Sequence, residues 1–315
     1  MRPHIICIMK IYTCYNDIPA QDRGTVVAIG NFDGVHRGHQ GIIAAAARIA
    51  RDQGKQLGVL TFEPHPKRLF RPDEPPARIT PPAVKQWRLT ESGAGVVYSI
   101  DFTWDLASMS ATDFIKHVLQ EGLGTAHVVI GHDFRFGQLR KGGPDDIRAA
   151  GIGVTIVDEI SGDDGLVFSS SRVRQHLRDG DITLANDILG WPWEIRGTVM
   201  RGDRRGHDLG YPTANFKLGD TIHPAYGVYA ARVNVAGEKE WHGAAINIGI
   251  RPMFEIPEAQ VESYIFDFNR DIYDKILRVQ PVQRLRSEAK FNSLDDLKAQ
   301  MAKDCDQARA ILKTK

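Results

Sequence analysis

Two histidines three residues apart, His36 and His39, stand in the stretch GNFDGVHRGHQ. The apolar run Val26 to Ile29 precedes it, and Ile42, Ile43, Ala46, Ala47, Ile49 and Ala50 follow at helical spacing. At the start of a helix, imidazoles so spaced can point the same way. Free N–H groups and the helix dipole there favour an anion. Gly30 and Gly34 permit a tight turn and let main-chain donors approach a ligand closely. An HxGH site of this kind suits nucleotidyl transfer, in which extra negative charge develops on the oxygens of the α-phosphorus. Fixed donors aimed there stabilise the transition state more than bound ATP. No protein nucleophile is needed, because the attacking group belongs to the second substrate.

A second set of chemical candidates lies beyond residue 200. GHDLGYPTANF, residues 206–216, is a glycine-rich loop leading to Thr213 and Asn215, whose neutral oxygens suit a magnesium ion already bound mainly by phosphates and water. INIGIRPMF, 246–254, offers Asn247, Gly249 and Arg251 to a ligand. Glu262, in VESYIFDF, is a carboxylate within an otherwise apolar strand. Two readings stand for it: a desolvated general base near a hydroxyl, or the partner of an arginine on the outer face of a barrel.

The elements that must hold these residues divide the chain. At 315 residues it exceeds the usual size of one domain. In the first half, strands are predicted at 26–29, 57–62, 96–100, 127–130 and 154–157. Helices follow at about 38–50, 83–91 and 110–119, and at 169–177, where SSSRVRQHL opens with hydroxyls. The prolines of EPHP, 63–66, exclude both helix and strand there and hold His65 in a stiff loop. Alternating strands and helices mean a parallel sheet with right-handed crossovers. GNFDGVHRGH, EPHP and GHDFRFG (131–137) all fall at carboxyl ends of strands, where open α/β sheets bind ligands. Neither GxxxxGK[ST] nor GxGxxG occurs, so ATP is handled in another way.

After a helix at 181–189 and Gly190-Trp191-Pro192, the pattern changes to short strands of period two at 194–200, 227–235, 240–248, 260–267 and 275–286. Closely spaced strands of this kind predict a small closed antiparallel barrel. A helix capped by Ser293 with Asp296 ends the chain. The expected architecture is α/β: a Rossmann-like nucleotidyltransferase domain with a parallel sheet over residues 1–185, then a small antiparallel β-barrel with a terminal helix over 186–315.

Composition bounds the partners. Forty basic and 39 acidic side chains leave a net charge of +1, which argues against broad electrostatic binding to nucleic acid or an acidic membrane. Hydrophobic residues make up 42% and charged residues 25%, as in ordinary globular chains. Cys7, Cys14 and Cys305 form no CxxC and suggest neither a disulfide scaffold nor a zinc knuckle. The apolar stretch near the start, 5–9, is too short for a signal peptide core or a membrane span. A cytoplasmic protein, monomeric or weakly self-associating, is expected.

In order along the chain, these stretches resemble the bifunctional riboflavin kinase and FAD synthetase of bacteria. GNFDGVHRGHQ is similar to that family's nucleotidyltransferase signature, TFEPHP and GHDFRFG to its second and third motifs, and SSSRVRQHLRDGD to its helix-start motif. GYPTANF, GVYAARV, INIGIRPMF, VESYIFDFNRDIY and RLRSEAKF resemble successive segments of its kinase domain, so that the likeness runs from about Gly24 to Leu312. The resemblance implies two reactions with ATP and Mg2+: phosphorylation of riboflavin to FMN by the barrel, then adenylylation of FMN to FAD by the first domain. It implies that His36 and His39 act on the ATP phosphates, with Gly30, Phe32, Gly38, Ser170, Ser171, Arg174 and Gly210 as further ATP and phosphate contacts. Asp133, Phe134, Asn247 and Arg251 would contact flavin, Thr213 and Asn215 would carry the metal, and Glu262 would be the base at the ribityl 5'-hydroxyl.

Four residues depart from the family pattern. His207 replaces an Arg of the glycine loop, Met253 the Thr of RPTF, Asp274 the Gly of LYG, and Ser171 a Thr. The rival readings are a one-reaction FMN adenylyltransferase whose barrel only recognises flavin, and a flavin-binding regulator without turnover.

Overall fold

Six strands form the first sheet in the computed structural model, which describes residues 10–201, 211–251 and 258–314. They are β1 (Lys10–Tyr12), β2 (Val26–Ile29), β3 (Leu57–Glu63), β4 (Val96–Asp101), β5 (His127–Gly131) and β6 (Gly153–Val157). All pairings are parallel, in the order β1-β4-β3-β2-β5-β6. Both faces are covered, as a parallel sheet requires. Val26 and Ala28 turn one way onto Ile43, Ala46 and Ala50 of α1 (Arg37–Asp52). Val27 and Ile29 turn the other way onto Phe114, Ile115, Val118 and Leu119. The strand order reverses between β2 and β5, the switch point at which a crevice opens beyond the carboxyl ends of the strands.

Several local elements differ from the sequence expectation. EPHP is not free of helix: Pro66 begins α2 (Pro66–Phe70), and His65 caps it by accepting the Lys67 N–H at 3.1 Å. Proline is tolerated at the first helical position because its missing N–H would have no intrahelical partner there. Short helices α4 (Trp104–Ser108) and α6 (Pro144–Ala149) add to α3 (Pro82–Glu91). Ser110 caps α5 (Ala111–Asp113) as expected, but the chain then widens into a π-helix, Phe114–Gly122. β1 was not foreseen. Its polar side chains are fixed by one buried carboxylate, with Lys10 Nζ 2.5 Å and Tyr12 Oη 2.6 Å from Asp22.

The chain divides into two compact units. One comprises the residues up to Glu74 with Pro82–Phe168, the other Pro75–Pro81 with the residues from Ser169 onward. The second contains α7 (Ser170–Asp179), α8 (Ile182–Leu189), a six-stranded antiparallel sheet and α9 (Leu294–Thr314). The strands are β7 (Ile195–Thr198), β8 (Ala214–Lys217), β9 (Gly227–Val235), β10 (His242–Arg251), β11 (Glu258–Ile265) and β12 (Ile276–Arg286), ordered β7-β12-β9-β10-β11-β8. The edge strands meet where Met200 N donates to Asn215 O at 2.8 Å, so the sheet is nearly closed. Tyr229, Ala231, Val233, Ile246, Ile248 and Val261 fill its interior, and alternate residues Ala230 and Ala245 face Ala308 of α9. Residues 75–81 are held within this unit, where Trp193 Nε1 donates to Ile79 O at 2.8 Å and Arg174 Nε to Ala77 O at 2.7 Å.

Candidate active sites

The first site is built on the turn from β2 to α1. His36 is the N-cap of α1, and its Nδ1 accepts the backbone N–H of His39 at 3.4 Å. A neutral imidazole that accepts at Nδ1 carries its proton on Nε2, so the ring offers a donor on its other side. The two imidazoles stack, with centroids 3.6 Å apart and planes at 25°, and the ring of Phe32 meets His39 edge-on at 5.3 Å. Phe32 is fully buried and His36 is 5% exposed. The expected pairing of His36 and His39 at a helix start is therefore present in geometry.

Two glycines are needed for that packing. A Cβ at Gly30 would lie 3.2 Å from the Phe32 ring, and one at Gly38 would lie 3.1 Å from both the His36 ring and Phe168 O. Phe32 and Val35 hold φ of 48° and 38°, in the left-handed region. For β-branched Val35 that is a strained conformation, of the kind kept at sites where the surroundings over-determine the backbone.

Asp133 is exposed, in a turn closed by Phe134 N to Gly131 O at 3.1 Å, and Phe134 stacks on Phe136 at 5.7 Å. They follow β5 on the other side of the switch point. An aromatic cluster escaped the sequence reading: Phe62 and Phe102 at the ends of β3 and β4, with Phe70 of α2 and Trp104 of α4. Their rings meet edge-on at 5.5 to 5.9 Å. Phe70 is 53% and Trp104 61% exposed, an aromatic surface open to a ligand. The signal was present in TFEPHP and DFTWD, each of which places a Phe at or just past a strand end.

Ser170, Ser171 and Arg174 lie on α7, in the second unit. Ser169, not these two serines, caps the helix by accepting the Arg172 N–H at 3.3 Å. Ser170 and Arg174 are half-buried and Ser171 is exposed.

The second site is a cross-strand row. Asn215 of β8 pairs with Glu262 of β11, Glu262 with Asn247 of β10, Asn247 with Val228 of β9, and Val228 with Arg286 of β12. Directly opposed residues share a face with Cβ atoms about 5 Å apart, so three residues picked out separately in sequence form one polar line. This face bears α9, because Ala245 and Ala230 of the same parity pack against that helix. Glu262 is thus half-buried on the helix-bearing face and not in the interior. Glu288 is a residue that sequence reasoning passed over. A Cβ at Gly249 would fall 2.0 Å from its Oε1 and 3.5 Å from the Asn247 amide nitrogen, so glycine makes room for that carboxylate. Burial pushes the Tyr226 hydroxyl upward, and the charge of Glu288 adds to the shift.

Asn215 Oδ1 is buried without a hydrogen-bond partner among the described residues. A neutral oxygen so placed fits a hard cation whose other ligands come from phosphate and water. Thr213 stands two residues earlier and is half-buried. Asp274 has φ of 62°, which explains the family's glycine there: the position demands a left-handed backbone, and aspartate is one of the few other residues that accept it. Gly210, His207 and Met253 lie outside the described residues, as does the side chain of Arg251, whose backbone pairs with Glu258.

Comparison with known proteins agrees with this division of chemistry. A family model described as FAD synthetase matches residues 18–172, and one described as riboflavin kinase matches 189–312. The chain is 39% identical over 300 residues to the bifunctional riboflavin kinase/FMN adenylyltransferase of Bacillus subtilis (strain 168), spanning 92% of this chain and 93% of that protein. It is 38% identical to the protein of that name from Pseudomonas fluorescens, spanning 96% and 98%. A solved Streptococcus pneumoniae structure named a macrolide-efflux protein has a TM-score of 0.83 at 33% identity, covering 96% of this chain and 99% of that one. Among the described residues no helix is long and apolar enough to cross a membrane. With both domains present in order and identity of this level across nearly its whole length, the chain belongs to the bifunctional riboflavin kinase/FMN adenylyltransferase family.

Proposed function

We propose that the protein carries out two consecutive reactions. Residues 186–315 phosphorylate the 5'-hydroxyl of riboflavin, and residues 1–185 transfer AMP from ATP to the resulting FMN. The observation that carries the reading is the pairing, in one chain, of a stacked HxGH pair at a helix start with a polar row Asn215-Glu262-Asn247 on an antiparallel sheet.

In the kinase step Glu262 takes the proton of the ribityl hydroxyl as its oxygen attacks the γ-phosphorus, and the bond to the bridging oxygen of ADP breaks. Asn247 and Arg251 orient the flavin substrate. Thr213 and Asn215 would hold Mg2+, which when bound would neutralise phosphate charge. Gly210 contacts the ATP phosphates.

In the second step a phosphate oxygen of FMN attacks the α-phosphorus of ATP and pyrophosphate leaves. His36 and His39, with the N–H groups at the start of α1, stabilise charge developing on the phosphate oxygens. Gly30, Phe32 and Gly38 keep that turn in shape. Ser170, Ser171 and Arg174 contact the triphosphate, while Asp133 and Phe134 contact the flavin. The exposed Phe70 and Trp104 with Phe62 and Phe102 supply an aromatic surface for the isoalloxazine ring. We place the functional division at 185/186 and the protein in the cytoplasm, as a monomer or weak homo-oligomer.

Incubating the protein with riboflavin, ATP and Mg2+ and separating the products tests this. FMN and FAD together support both reactions. FAD formed only from supplied FMN supports an adenylyltransferase with a recognition barrel, and binding without product supports a regulator.

A further inference from the structure

Behind the HxGH turn lies a lysine with no role in the chemistry just described. Lys85, on α3, is 3% exposed, and its ammonium reaches several strand-end groups at once. It lies 2.5 Å from Glu63 Oε1, 3.2 Å from Thr61 Oγ1, 3.2 Å from Phe62 O and 3.4 Å from Asn31 O. Thr61 Oγ1 donates in turn to Asn31 O at 3.0 Å.

These acceptors belong to separate ligand-facing segments. Asn31 immediately precedes Phe32, whose left-handed backbone carries the ring against His39. Glu63 opens EPHP, and its carbonyl accepts the Phe102 N–H at 2.7 Å, tying in the aromatic segment after β4. A buried ammonium is tolerated only when paired and hydrogen-bonded, so these contacts come as a set. An apolar side chain of similar length fills the same volume without fixing any of the three segments.

We propose that Lys85 is a positioning residue for adenylyl transfer, its buried ammonium setting the spacing of the phosphate turn, EPHP and the aromatic segment after β4. This rests on the adenylyltransferase reading of the first unit. Lys85 touches no substrate and acts through the Asn31 carbonyl and the Glu63 carboxylate.

The test uses the full chain and supplied FMN. Lys85→Met is combined with Glu63→Gln, so that no unpaired buried carboxylate remains. FAD formation is followed as kcat and as KM for ATP, and FMN formation from riboflavin is measured on the same preparation. The expected result is a fall of about thirtyfold or more in kcat for FAD formation with KM for ATP raised severalfold, while FMN formation stays within twofold. Unchanged kcat and KM overturn the proposal. So does a fall of FAD and FMN formation by the same factor with KM unchanged, the signature of fewer folded molecules. Thr61→Val, nearly isosteric, covers the case in which the double variant fails to fold: it loses one link between Lys85 and Asn31. It is expected to raise KM for ATP and lower kcat about fivefold, and unaltered kinetics overturn the proposal. If the unsubstituted protein makes no FAD from FMN and ATP, the reading beneath the proposal falls and the proposal falls with it.

Discussion

The two units gather their chemistry in opposite ways. In the first, the candidate residues are neighbours in sequence: His36, Gly38 and His39 span four positions, and a single helix start orients them. In the second, Asn215, Glu262 and Asn247 come from three strands and meet only through register. A helix N-terminus converts local sequence into local geometry, whereas a sheet row depends on pairings that a one-residue slip would turn to the other face. The first site is therefore sensitive to backbone crowding, and the second to anything that shifts strand pairing.

Four substitutions sharpen that contrast. The largest effect is expected for Glu262→Gln, which removes a base without changing shape. FMN formation should fall about a thousandfold, while supplied FMN is still converted to FAD, as product analysis from each substrate will show. His36→Ala should be the mirror image, with FAD formation reduced about a hundredfold and the reaction halting at FMN. Equal damage to both steps from either change would break the comparison.

The third prediction concerns stability. Glu194 is fully buried, with Arg196 Nε 2.6 Å and Arg278 Nη2 2.8 Å away. Burial alone would raise its carboxyl, but the Arg278 hydrogen bond and the Arg196 charge, with Gln280, hold it below the ordinary 4.5. A depressed folded value contributes stability that is present above pH 4.5 and is lost as pH falls through it. Glu194→Gln should cost about 3 kcal/mol near neutrality and flatten the acid limb of the stability curve, measured by denaturant unfolding across pH. The smallest effect belongs to Asp274→Gly, which relieves a left-handed aspartate at the cost of a freer unfolded chain. A change within about 0.5 kcal/mol, with kinase activity kept, is expected from melting curves.

The same contrast explains what could be read from the sequence. The parallel sheet, the turn at the end of its second strand and the paired imidazoles were legible, because apolar runs and glycine-broken turns report local structure directly. The antiparallel barrel-like sheet was also legible, but not which face Glu262 occupies. Nor was the approach of Glu288 to Gly249, since both depend on partners far along the chain. α2 was missed because Pro66 was read as a breaker and not as a first helical residue, and β1 because three residues, two of them held by Asp22, carry no periodicity. The aromatic cluster of Phe62, Phe70, Phe102 and Trp104 joins four segments whose meeting no single motif announces.

Mixing the two defective proteins is the most direct test of separate sites. Neither His36→Ala nor Glu262→Gln alone should make appreciable FAD from riboflavin, whereas an equimolar mixture given riboflavin, ATP and Mg2+ should make it, because FMN released by the first is adenylylated by the second. A mixture that yields no more FAD than either protein alone would contradict the account.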